Sequence, residues 1–129
     1  MLSEYVKTAD WKNEKHVPVI DCDDNIAADT CTQITISVGK EIPHPNTSGH
    51  HIVWVALHYV PEGSQVSVEI ARTEFSAHAA SADGKDSGQA KTCSSVTVSA
   101  SLKKSGTLYA TAYCNIHGLW ASEKTVTVA

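Results

Sequence analysis

"TQITISV", residues 32–38, decides the fold: Ile34, Ile36 and Val38 fall on one side of an extended chain, Thr35 and Ser37 on the other. Successive side chains on a strand point to opposite faces, so a period of two marks a strand with one face in a core and one in water. The alternation returns at Val66, Val68 and Ile70, at Val96, Val98, Ala100 and Leu102, and at Val126 and Val128, with Thr, Ser and Glu between. With "VPVID" (17–21), "HIVWVALHYV" (51–60) and "TLYATAYC" (107–114) this makes about seven short strands. Turn-rich segments separate them: "DCDDNIAADT" (21–30), "PEGS" (61–64), "SADGKDSGQ" (81–89) and "KKSG" (103–106). No window of helical periodicity competes. The expected fold is all-β, an immunoglobulin-like antiparallel β-sandwich of about seven strands, built as a single domain over residues 1–129. "HAASADGKDSGQAKT" (78–92) reads as a long surface loop, and there is no internal repeat or interdomain linker.

A chain of 129 residues buries roughly 65 to 70% of its unfolded surface, enough for a core without covalent staples. The net charge of −4 is scattered, and no basic face tracks a phosphate backbone or an anionic membrane, so nucleic acid is not an expected partner. The N-terminal stretch "MLSEYVKTADWKNEKH" carries Glu4, Lys7, Asp10 and Lys12 and lacks the apolar run of a secretory signal. Nothing elsewhere approaches the roughly 20 apolar residues of a membrane span. A cytoplasmic location is expected.

The four cysteines, Cys22, Cys31, Cys93 and Cys114, form no C-x-x-C pair, so zinc-ribbon and thioredoxin spacings fail. Cys22 and Cys31 flank the loop of an expected hairpin and so could face each other, but reduced thiols are the default in a cytoplasm. Histidine is the unusual residue, with seven in the chain. Three clusters hold the chemistry. The first is "EKHVP", with Glu14, Lys15 and His16 before the first strand. In the second, "GKEIPHPNTSGHH", Pro43 and Pro45 flank His44 and fix a non-helical loop that ends at His50 and His51. The third, "CNIHG", brings Cys114 and His117 to the end of a strand.

All three clusters lie at strand ends, and in a small sandwich such segments gather at the rims. A thiolate with several imidazoles is a borderline-soft ligand set, suited to iron, copper or zinc. A closed tetrahedral zinc site leaves a fifth donor unexplained. A blue-copper electron-transfer site wants a weak axial Met, and the only methionine is Met1. Four candidate imidazoles and one thiolate point to a five-coordinate iron with one open position for a small molecule. A non-enzymatic sandwich module stands as the competing reading and predicts no bound metal.

"EKHVPVI" (14–20), "VGKEIPHPNTSGHH" (38–51) and "SGTLYATAYCNIHGLW" (105–120) together resemble the iron-binding domain of the superoxide reductases, the neelaredoxin and desulfoferrodoxin group. The resemblance runs over roughly residues 9 to 124, and without an additional four-cysteine iron domain it is to the one-iron, neelaredoxin type. It implies one iron per chain, cycling between ferrous and ferric, with His16, His44, His50 and His117 as equatorial ligands and Cys114 as the axial thiolate. It further implies that Lys15 attracts the superoxide anion and that Glu14 occupies the sixth position of the oxidised iron. The expected partners are superoxide as substrate, a rubredoxin-like electron donor and further copies of the chain in a homodimer or homotetramer. His51, His58 and His78 fall outside the ligand pattern; His58 is expected to be a hydrogen-bonded structural residue and His51 a neighbour behind the ligands.

Overall fold

The computed structural model describes residues 1–129. A single 3-10 turn, Leu2–Glu4, precedes nine strands: β1 (Val6–Lys7), β2 (Pro18–Asp21), β3 (Asn25–Ile26), β4 (Cys31–Val38), β5 (Ile52–Pro61), β6 (Val68–Glu74), β7 (Ser95–Ser101), β8 (Gly106–Cys114) and β9 (Gly118–Val128). They form two sheets. One runs β1-β9-β8-β5-β6 with β3 also on β9, and the other runs β2-β4-β7. No helix is long and apolar enough to cross a membrane.

Between the sheets lies a cluster of 17 buried residues, and the expected alternation builds it. Ile34, Ile36 and Val38 of β4 are 0, 1 and 6% exposed, while Thr35 and Ser37 pair across to Thr97 and Ser95 through hydroxyl hydrogen bonds of 2.7 and 3.1 Å. In β8, Leu108, Ala110, Ala112 and Cys114 point inward, and Tyr109 and Tyr113 point out. Cys114 thus closes an inward-facing row, which buries its thiol at the strand's end.

The seven expected strands are present, and the main pairings are antiparallel. Two features were not expected. The two-residue strands β1 and β3 both run parallel to β9, pairing Lys7 with Trp120 and Ile26 with Val128, and so cover its outer edge near both ends. The strand expected around Val66 begins two residues later, and Val66 is exposed. This is an edge strand of the larger sheet, and Ile70 is the residue by which it packs against the core.

The four cysteines are free thiols, so Cys22 and Cys31 are not joined. The 78–92 segment is a surface loop only at its tip; its base, with His78 and Ala79, is buried.

Candidate metal centre

Strand register gathers the three clusters at one rim. Pro18 of β2 pairs with Val38 of β4, which sets His16, two residues before Pro18, beside the loop that leaves Val38 and carries His44. Ile52 of β5 pairs with Cys114 of β8, which brings His50 next to the β8–β9 turn. That turn is three residues, Asn115 to His117, and Gly118 closes it at φ +84°, a left-handed conformation open to glycine without a Cβ clash. The turn folds the His117 N–H onto the Cys114 sulfur at 3.3 Å.

The four candidate imidazoles form a closed ring. Centroids lie 4.9 Å apart for His16 and His44, 4.9 Å for His44 and His50, 5.0 Å for His50 and His117, and 4.7 Å for His117 and His16. His16 Nε2 and His117 Nδ1 are 3.1 Å apart, and His117 Nδ1 is 3.8 Å from Cys114 Sγ. Donor atoms of His16, His50, Cys114 and His117 all lie within 4.8 Å of one another. His44 joins the ring through its neighbours His16 and His50.

Partners on the far side of two of the rings, His16 and His44, leave particular nitrogens free. Glu14 accepts from His16 Nδ1 at 2.7 Å and also from the His16 backbone N–H, and the Pro45 carbonyl accepts from His44 Nδ1 at 2.7 Å. Each carbonyl or carboxylate needs a proton on Nδ1, so Nε2 keeps its lone pair. The Nε2 atoms of His44 and His50 are buried without any hydrogen-bond partner. Buried polar atoms are rarely left so, and a lone pair awaiting a cation accounts for both. The donor set fits an iron of the kind the resemblance implies.

Electrostatics disfavour protonation of three of these imidazoles, His16, His44 and His50. Burial pushes the His44 imidazole down to about 4, with the positive fields of His16, His50 and Lys15 adding to it and the Pro45 carbonyl resisting. Burial lowers His50 and His16 as well, though Glu14 pulls His16 partly back. Burial alone would raise Glu14, but the His16 hydrogen bonds and the charges of His16 and Lys15 hold its carboxyl below the ordinary value. Unprotonated imidazoles are the form that binds a metal. Because all three titrate below the ordinary 6.5 in the folded chain, the stability they contribute is complete above pH 6.5 and is lost as pH falls below it, through about 4 for His44. Thermal melts of metal-free protein should show a falling midpoint over that window, with a shallower fall in His44→Gln. An equal slope in the variant would contradict the His44 assignment.

Trp120 was not anticipated, although it stands in "CNIHGLW". Its indole stacks on His16 at 4.8 Å and 13°, and its Nε1 donates to the His117 carbonyl at 3.2 Å, so one side chain braces two of the rings. Asn115 likewise ties the β8–β9 turn to the second cluster, accepting the His51 N–H at 2.9 Å and donating to the Gly49 carbonyl at 3.0 Å. His51 directs its ring away to His78, with its Nδ1 2.8 Å from the Thr47 carbonyl. His58 is away from the rim, 3.6 Å from Glu69 on a solvent-facing side of β5.

The sequence model of the desulfoferrodoxin family matches residues 8–123. The chain belongs to the desulfoferrodoxin family. Among its relatives, a neelaredoxin of Megalodesulfovibrio gigas is 48% identical over 125 residues, covering 97% of this chain and 96% of that protein. A superoxide reductase of Pyrococcus furiosus is 43% identical over 126 residues, covering 98% of this chain and 99% of that one. Among solved structures, the reduced superoxide reductase (neelaredoxin) of Archaeoglobus fulgidus superposes with a TM-score of 0.88 at 47% identity, over 95% of this chain and 98% of that one. These desulfoferrodoxin-family matches include all three clusters and run almost the full length of both partners.

Proposed function

We propose that the chain is a superoxide reductase that carries out O₂⁻ + e⁻ + 2H⁺ → H₂O₂ at one iron held by His16, His44, His50, His117 and Cys114. The pair of buried, unpartnered Nε2 atoms on His44 and His50, within a ring of imidazoles beside a buried thiol, carries the ligand assignment. When bound by these residues, ferrous iron would supply the electron, and with one thiolate and four neutral imidazoles around it the local charge would be about +1, which would draw an anion. A small one-electron donor of the rubredoxin kind restores the ferrous state. Names of the relatives support the activity, and the donor chemistry supports the metal. Metal analysis tests this reading: one iron per chain with a sulfur-to-iron absorption band is the expected result, and copper or an unloadable chain would refute it.

The protein's own residues do three things. Glu14 and the Pro45 carbonyl fix the tautomers of His16 and His44 so that Nε2 stays available. The His117 N–H donates to the Cys114 sulfur at 3.3 Å and so fixes where the sulfur lies beside the ring of imidazoles. Lys15 places a positive charge within reach of the ring, since its field lowers the proton affinity of His16, His44 and His50 alike. Superoxide meets that field before contact.

Replacing Lys15 with alanine is expected to slow the bimolecular reaction with superoxide by about 3- to 10-fold at low ionic strength and to flatten its salt dependence. An unchanged rate would remove Lys15 from the mechanism. For Glu14, the resemblance implies that the carboxylate seen on His16 Nδ1 would also be able to take the sixth position of the oxidised iron. Azide should therefore bind the ferric protein more tightly in Glu14→Ala, and an unaltered azide affinity would refute that role.

A further inference from the structure

We propose that the segment between β6 and β7 is a clasp that holds the His44–His50 loop in ligand geometry, with His78 as its central positioning residue. The inference rests on the iron reading above and extends it to residues outside the three clusters. The base of the segment is closed by backbone bonds: Ala79 N–H to the Ala90 carbonyl at 3.0 Å, Gly88 N–H to the Ala79 carbonyl at 2.9 Å, and Thr92 N–H to the Ala77 carbonyl at 2.7 Å. Ala79 sits at φ +63°, and a Cβ on Gly88 would stand 2.6 Å from the Ala79 carbonyl carbon. A non-glycine residue kept left-handed is held there by its surroundings, so this base is a rigid element.

The segment grips the ligand loop at three points, two from its base and one from its tip. The His78 ring, 8% exposed, lies flat on His51 with centroids 3.5 Å apart and 4° between planes. Its nitrogens face the Asn46 side-chain oxygen at 2.7 Å and the Phe75 carbonyl at 2.6 Å. Asn46 in turn donates its amide to the Thr92 carbonyl at 2.9 Å, which fixes which end of the amide meets His78. Asp86 accepts both the Ser48 N–H and the Ser48 hydroxyl at 2.8 Å.

Asn46, Ser48 and His51 lie between and beside the ligands: Asn46 follows His44 by two residues, Ser48 precedes His50 by two, and His51 follows it directly. His50 is itself bound through its backbone, to Thr47, while its Nε2 has no partner. The direction of that nitrogen is therefore set by the path of the loop, which the clasp holds from one side and Asn115 from the other. Groups behind metal ligands typically alter metal affinity by about 10- to 100-fold.

Four iron-loaded proteins test this: wild type; His78→Phe, which keeps a ring against His51 and loses both nitrogens; His78→Gln, which regains a polar reach towards Asn46; and Asp86→Ala, which frees Ser48 without touching the buried base. Iron loss to excess chelator and the electron paramagnetic resonance spectrum of the ferric site are recorded, with circular dichroism confirming the strands. His78→Phe is expected to release iron about 10- to 100-fold faster with a broadened spectrum, and His78→Gln to recover part of both. Asp86→Ala should move the same way by less, and it carries the test if His78→Phe does not fold. Folded variants with wild-type iron release and spectra would overturn the clasp and leave the iron site standing. A wild type that takes up no iron would overturn both.

Discussion

Cys114→Ser should abolish the sulfur-to-iron absorption and lower the rate of superoxide reduction by at least the roughly 100-fold that marks the upper end for losing a group behind a ligand. Cys114 is 0% exposed, its sulfur accepts the His117 N–H at 3.3 Å, and no other cysteine lies in the cluster of donor atoms. Serine has nearly the same shape, so the core row of Leu108, Ala110 and Ala112 stays packed. What changes is charge: a serine hydroxyl remains protonated where a metal-bound thiolate does not, and the anionic, polarisable donor is lost. Visible spectra of the oxidised protein and rapid mixing with superoxide read the two effects. A surviving band would transfer the ligand role to Cys22, Cys31 or Cys93.

Gly39→Ala should damage the site from a distance. Gly39 follows β4 at φ +86°, and a Cβ there would stand 2.7 Å from the His44 backbone nitrogen. The left-handed conformation alone costs an L-residue about 1–2 kcal/mol, and the contact is with backbone, which cannot rotate away. The loop must shift, and His44 moves with it. We expect a lower melting midpoint and iron binding weakened by about 10-fold or more. Gly49→Ala is the matched control, since a Cβ at Gly49, directly before His50, meets nothing within 4 Å. Chelator competition on both variants should separate them; equal affinities would show that His44 does not depend on the Gly39 turn.

The sandwich was legible because its strands are two-faced. Ile34, Ile36 and Val38 predict their own burial, and the row ending at Cys114 predicts an inward thiol. The two-residue strands β1 and β3 were not legible, because two residues hold no period and their pairing with β9 is decided by tertiary contact. The five candidate donor residues were readable as clusters, and register between β2 and β4 and between β5 and β8 explains why the clusters meet. The structure gave Glu14 a position that the motif did not, on His16 Nδ1. His78 stayed hidden for a different reason. It is 32 residues from Asn46, and its importance comes from a stack and a hydrogen bond that no local pattern encodes.

The most direct test of the central claim is to mix ferrous protein with a measured pulse of superoxide and count iron oxidised, hydrogen peroxide formed and oxygen released. The account predicts one ferrous iron oxidised and one hydrogen peroxide formed for each superoxide consumed, with no oxygen evolved while ferrous protein remains. Oxygen release at half the superoxide consumed would mark a dismutase, and ferrous protein that ignores the pulse would contradict the assignment of the site.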